Sequence, residues 1–197
     1  MILSKDKQLW ITEDEKYTKC WTSGWENRNF RDTIKHTTKR RVAVDVGAHF
    51  GIWTRRLSNL FDEVIGFEPS PPNFECLKEN CKQLINVDVF DVALSDSEGN
   101  VDMNIFPFET AFCSIEPDNF RTKEREIIPV QTKTLDSYSL NNVDLIKIDV
   151  EGHELKMLNG ALDTIEKCNP LIFIEDFVKF KNKPIKNKWT DNGPSCA

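Results

Sequence analysis

Asp149, Glu151, His153 and Glu154 fall in one short stretch, Lys147-Ile148-Asp149-Val150-Glu151-Gly152-His153-Glu154. Carboxylates and an imidazole gathered at the end of a strand can take a proton from an acceptor, or hold that acceptor in line for attack. The same residue types bind metal ions, and acids at the start of a helix can simply complement its dipole. Proton removal or substrate positioning by Asp149, Glu151, His153 or Glu154 ranks above metal binding, and the spacing does not choose among the four. No metal is expected.

A second group lies earlier in the chain. Gly47 and Gly51 belong to Asp45-Val46-Gly47-Ala48-His49-Phe50-Gly51, which follows an apolar run and precedes a helical pattern. Glycine lets a backbone approach a ligand closely, and the start of a helix offers N–H groups. The spacing is Gly-x-x-x-Gly, whereas a dinucleotide loop uses Gly-x-Gly-x-x-Gly. Glu68 ends the next apolar run, about 20 positions on, as expected for an acid that accepts hydrogen bonds from ribose hydroxyls. Asp91-Val92-Ala93 closes a third run, where it could meet the edge of a base, although Asp91 could equally cap a turn.

The elements that must position these residues follow from periodicity. Val42–Val46 reads as a strand buried on both faces. Residues 52–61 read as a helix with Ile52, Leu57, Leu60 and Phe61 on one side. Residues 64–68 form a second strand. Ser70-Pro71-Pro72 starts a helix that runs to about Leu84. Residues 87–94 are expected as one strand. Val101–Ile105 alternates and should be antiparallel, residues 110–125 a loop, and residues 127–134 another strand. Residues 143–150 are a strong strand. Residues 154–167 read as one helix, with Leu155, Leu158, Leu162 and Ile165 inward, before a last strand over 170–174. Strands alternating with helices give an α/β fold of the Rossmann-like, doubly wound kind: a mostly parallel sheet with helices on both faces. One domain is expected, with a helical extension over residues 1–40, the core over 41–176 and a basic tail over 177–197.

The chain has 197 residues and a formal net charge of −6. Proteins that grip nucleic acid phosphates usually carry the opposite sign, so no nucleic acid partner is expected. No apolar run approaches the roughly 20 residues that span a bilayer, and the first residues lack the apolar core of a signal peptide. The expectation is a cytoplasmic protein without a membrane partner. The six cysteines form no Cys-x-x-Cys pair, so reduced, mostly buried thiols are expected rather than a zinc site or a disulfide framework.

In order and spacing, these motifs resemble the FkbM family of methyltransferases. The resemblance spans about residues 41–176. It rests on Val44–Gly51 with Thr54, on Gly66-Phe67-Glu68-Pro69-Ser70-Pro71, on Val92–Asp96 with Gly99, on Thr134-Leu135-Asp136, on Asp144–Glu154 and on Ile174-Glu175. It implies S-adenosyl-L-methionine at Asp45, Gly47, Ala48, His49 and Gly51, with Glu68 and Pro69 at the ribose and Asp91, Val92 and Ala93 near the adenine. It also implies methylation of a hydroxyl on a saccharide or small metabolite, with Asp149 and Glu151 lining the transfer site. Ser114 matches a serine common in the family. Two departures stand out. His49 replaces the usual Asn and brings a titratable ring to the loop. The sheet is either shortened at its C-terminal end or completed by residues 101–134. Trp21, Trp25 or Trp53 could stack on a sugar ring or pack in the core. Two rival readings remain: an NAD-dependent oxidoreductase, which Glu68 also fits, and a non-catalytic protein that keeps a methyltransferase fold.

Overall fold

The computed structural model describes residues 1–3, 9–12, 24–106, 113–116 and 125–175. Trp21, the Trp25 side chain, most of the expected 110–125 loop and the basic tail lie outside the described residues. The elements that bear on the site begin with β3 (Val42–Val46), α2 (Ile52–Ser58), β4 (Glu63–Phe67), α3 (Pro71–Cys81) and β5 (Val87–Phe90). They resume with β9 (Val143–Ile148), α4 (Glu154–Asn159), α5 (Leu162–Cys168) and β10 (Leu171–Ile174). The five strands form a sheet in the order β10-β9-β3-β4-β5, and every pair in it is parallel. The chain runs outward from β3 to β5, then returns to β9 on the other side of β3. The β3/β9 boundary is therefore the switch point, where open α/β sheets leave a crevice beyond the carboxyl ends of their strands.

The buried strands divide their side chains between two layers. Val42, Val44, Val46, Ile146 and Ile148 face Met157 of α4 and Ala161, while Ala43, Val64 and Leu145 face Trp53 and Leu57 of α2. The second layer is closed by Phe30 from α1 (Gly24–His36). At the end of the sheet opposite the crevice, Arg41 clasps Asp144 with Nε at 2.9 Å and Nη2 at 2.6 Å, tying the start of β3 to β9.

A second sheet holds β6 (Ala93–Leu94), β8 (Glu126–Lys133) and β7 (Gly99–Ile105), in the order β6-β8-β7. Strands β7 and β8 are antiparallel, as the alternation predicts. Three readings change here. Residues 87–94 are two strands, because the chain leaves the main sheet after Phe90 and joins the second at Ala93. The described residues of 101–134 build that separate sheet, and none of them joins the main one. Residues 154–167 are two helices. A Cβ on Gly160 would sit 1.9 Å from the Ser95 carbonyl oxygen, so this joint admits only glycine. Beyond the break, Asp136 restarts the helix: its Oδ1 accepts from the Thr164 N–H at 2.8 Å and from Thr164 Oγ1 at 2.7 Å. The break rotates the inward stripe. Met157 and Ala161 are fully buried, whereas Leu155 and Leu162 are 45% and 57% exposed.

The first forty residues are not purely helical. Strands β1 (Ile2–Leu3) and β2 (Trp10–Ile11) pair antiparallel, and Asn80 of α3 binds both backbone groups of Trp10. Among the described residues no helix is long and apolar enough to cross a membrane.

Candidate active site

Three segments meet at the switch point. The β3 loop contributes Gly47–Gly51, β4 contributes Glu68, and the loop between β9 and α4 contributes Asp149–His153. Gly47 is left-handed at φ 74°, and a Cβ on it would lie 1.8 Å from the Asp149 carbonyl oxygen. The close approach that requires glycine is therefore to the neighbouring loop. Gly51, also left-handed, abuts Leu77 of α3, which would lie 2.7 Å from an added Cβ.

The loop amides are used internally. Gly47 and Ala48 both donate to the Phe67 carbonyl, at 3.0 and 2.9 Å, and Gly51 donates to the Ala48 carbonyl at 2.8 Å. His49 donates its N–H to Glu68 Oε2 at 2.9 Å. These four do not offer the ring of open N–H groups expected from the motif. The Glu68 carboxylate also accepts from the Ser70 N–H at 3.0 Å and is 5% exposed. Burial pushes its pKa up to about 7, against the pull of Ser70, His49, Asn73 and Lys147. Pro69 continues the turn and is half-buried. The His49 ring stacks on Phe50 at 3.7 Å between centroids. Burial and the Lys147 charge push its pKa down to about 3, so the ring stays neutral near pH 7. The titrating group of this loop is Glu68.

Beneath the loop is a network of buried charge. Lys147 is 3% exposed, and its Nζ donates to the Gly47 carbonyl at 2.7 Å. It pairs with Asp45 at 3.1 Å and Asp149 at 3.6 Å. Burial opposes its charge, but the two carboxylates outweigh burial and raise its pKa above the ordinary value. Asp45 is fully buried and accepts from Thr54 Oγ1 at 2.6 Å, so it braces the loop from below. The Asp149 side chain is 32% exposed, with its pKa raised by partial burial and by Asp45 against the pull of Lys147. Of the network's two carboxylates, it is the one with access to the crevice.

The remaining expected residues separate. Asp91 is exposed, whereas Val92 and Ala93 are buried at 4% and 5%. Glu151 is left-handed at φ 50°, and its carbonyl accepts from Ser114 Oγ at 2.8 Å. His153 is 4% exposed, with Nδ1 2.5 Å from Glu116 Oε1 and Nε2 3.0 Å from Ser95 Oγ. The buried Glu154 carboxylate accepts from the Gly152 N–H at 2.9 Å, the capping role available to an acid at a helix start. Trp53 is 5% exposed, edge-on to Phe30 and stacked on Phe173, so it packs in the core. Among the described residues no group of three or more His, Cys, Asp or Glu side chains is arranged to hold a metal ion.

Sequence reasoning passed over Lys147, Ser95 and Glu116. Lys147 carried a signal: a single charge inside a strand buried on both faces must be paired. Glu116 carried none, since its partners come from distant segments.

Residues 45–187 match the model of the Methyltransferase FkbM domain. The chain belongs to the FkbM methyltransferase family. It is 27% identical over 144 residues to the 2-O-methyltransferase NoeI of Sinorhizobium fredii, a match that covers 64% of this chain and 59% of NoeI. Among solved structures, it resembles the FkbM methyltransferase of Methylobacillus flagellatus with a TM-score of 0.51 and 21% identity, over 68% of this chain and 32% of the other. Precorrin 8W decarboxylase of Methanobacterium thermoautotrophicum follows at a TM-score of 0.45 and 15% identity, over 77% of this chain and 62% of that one. The chain thus spans under two thirds of the length of these relatives, and its fold is the Rossmann-like α/β fold of the FkbM methyltransferases.

Proposed function

We propose that this FkbM-family protein transfers a methyl group from S-adenosyl-L-methionine to a hydroxyl oxygen of a saccharide or small metabolite. The observation that carries the reading is the pairing of Glu68 with a loop whose amides are already bonded inside the protein. A dinucleotide presents a pyrophosphate and needs open N–H groups at this loop. S-adenosyl-L-methionine has ribose hydroxyls but no phosphate, and it carries a positive sulfonium. Carboxylates near the switch point suit that charge, so the donor set fits this group better than a nicotinamide dinucleotide.

In this reading Glu68 accepts hydrogen bonds from the ribose hydroxyls, and Asp45, Gly47, Ala48, His49, Gly51 and Pro69 shape the wall behind them. Asp91, exposed at the end of β5, faces the base, with Val92 and Ala93 supporting it from within. When bound, the cofactor supplies an electrophilic methyl carbon. Asp149 receives the proton of the acceptor hydroxyl, helped by a raised pKa, while Lys147 fixes the carboxylate's place. Glu151 borders the acceptor. NoeI's designation as a 2-O-methyltransferase supports oxygen as the accepting atom.

The test is a calorimetric titration with S-adenosylhomocysteine and with NADH, followed by incubation with S-adenosylmethionine and a panel of methyl hexopyranosides. Binding of S-adenosylhomocysteine and a gain of one methyl group in a product are expected. Binding of NADH alone would overturn the reading.

A further inference from the structure

The strongest cluster of chemistry outside the proposed cofactor contacts joins four residues from three segments. Ser95 follows β6, Ser114 and Glu116 lie in the short stretch 113–116, and His153 precedes α4. Ser95 Oγ, the His153 ring and the Glu116 carboxylate form a continuous chain of contacts at 3.0 and 2.5 Å. Its order is that of a nucleophile, a base and an orienting acid. However, Ser95 is 5% exposed and His153 4%, and their side chains are spent on one another and on Glu116. Such a chain is placed to hold other groups rather than to attack a substrate.

What it holds is visible on either side. Glu116 also accepts from Lys156 Nζ at 3.1 Å, so two residues at the start of α4 grip one carboxylate. Burial lowers the imidazole's pKa against the pull of Glu116. A ring protonated on Nδ1 donates to Glu116 there, and Nε2 then faces the Ser95 hydroxyl, which also lies 3.3 Å from Asp96 Oδ1. Two residues before Glu116, Ser114 exchanges backbone hydrogen bonds with Asn104 of β7, at 2.8 and 3.1 Å. Ser114 Oγ accepts from the Glu116 N–H at 3.1 Å and donates to the Glu151 carbonyl. Glu151 and Gly152 are consecutive left-handed residues, at φ 50° and 101°. A non-glycine residue in that region is strained and persists only when its surroundings impose it.

We propose that Ser95, His153 and Glu116 form a positioning relay that, through Ser114, imposes the left-handed turn at Glu151 and so shapes the acceptor side of the site. The proposal rests on the reading of Asp149 and Glu151 as acceptor-facing residues. It makes the second sheet part of the catalytic apparatus, because Ser95 and Asn104 anchor the two ends of the relay.

Four variants test it: His153→Gln, Glu116→Gln, Glu116→Asp and Ser114→Ala. Amide hydrogen exchange at Ser114 and Glu116 should rise about tenfold in His153→Gln and in Glu116→Gln, and Glu116→Asp should restore part of the protection. The imidazole 15N shifts of His153 should report a neutral ring protonated on Nδ1, and Glu116→Gln should move them. S-adenosylhomocysteine affinity should stay within about twofold while kcat on the methyl hexopyranoside panel falls about tenfold, because only the acceptor side is disturbed. Unchanged exchange in His153→Gln and Glu116→Gln would overturn the relay, as would a loss of cofactor affinity in step with kcat. If His153→Gln fails to fold, Ser114→Ala, which removes the link alone, decides by the same split. A wild type that methylates nothing sinks the acceptor reading alone, since the exchange and imidazole signals still decide the relay.

Discussion

The two sides of the crevice are built differently. On the β3–β4 side, Glu68 reaches His49, Ser70 and Asn73, and Asp45 reaches Thr54. Those partners all lie between His49 and Asn73, along α2, β4 and the first turn of α3. On the β9–α4 side, Glu151 and His153 lean on Ser114, Glu116 and Ser95, brought in from another sheet. Lys147 is the joint, bonded to the Gly47 carbonyl and to Asp149. The contrast suggests a division of labour. The first side is a fixed floor whose geometry comes with the fold. The second is a wall that other segments hold up, and its shape can vary while the floor stays the same.

Breaking the joint should cost most. Lys147→Met leaves Asp45 buried without its counter-ion, and removal of one partner of a buried pair typically costs about 3–5 kcal/mol. Chemical denaturation should show that loss, and a melt within a degree of wild type would refute the paired-charge account. Asp149→Asn should lower kcat by about 10²–10⁴-fold, the usual contribution of a positioned base, and leave S-adenosylhomocysteine affinity nearly intact. Equal losses in both would move Asp149 from the wall to the floor.

Glu68→Gln should weaken S-adenosylhomocysteine binding by about 1–3 kcal/mol, the scale of a lost hydrogen bond to a charged group. It also carries a pH signature. The folded-state pKa of about 7 lies above the ordinary carboxylate value, so the folded state holds a proton that the unfolded chain has released. Glu68 therefore contributes stability at low pH that is lost as pH rises towards 7. Ligand binding to the carboxylate runs the other way: affinity should rise about tenfold from pH 6 to pH 8 in wild type and stay flat in Glu68→Gln. Smallest is Thr54→Val, which removes one donor to Asp45 and should lower stability by about 1 kcal/mol without moving kcat.

The floor was legible in the sequence because its information is periodic and local. Val42–Val46, the glycines after it and the acid at the end of the next strand specify a strand, a turn and a neighbouring strand in one pass. The roles inside that pattern were less legible. Gly47 reads as room for a ligand, but its space is taken by the Asp149 carbonyl. Helical spacing nominates Leu155, Leu158, Leu162 and Ile165 for the core; Leu158 and Ile165 do pack against it, whereas Leu155 and Leu162 face outward on the two short helices either side of Gly160. The break itself depends on Ser95 packing against Gly160 and on Asp136 capping α5, contacts that periodicity cannot encode. The wall was hidden for the same reason, since nothing near Glu116 in sequence announces His153.

Asn80 gives the chain's first residues a bearing on all of this. Its carboxamide takes the Trp10 N–H and donates to the carbonyls of Trp10 and Phe50, so one side chain splints β2 to the loop that ends at Gly51. Trimming the first dozen residues would strip two of those three bonds and uncover Phe50 and Cys76, which Ile11 now covers. A shortened protein would then show a loosened floor even though no residue of the crevice had been touched.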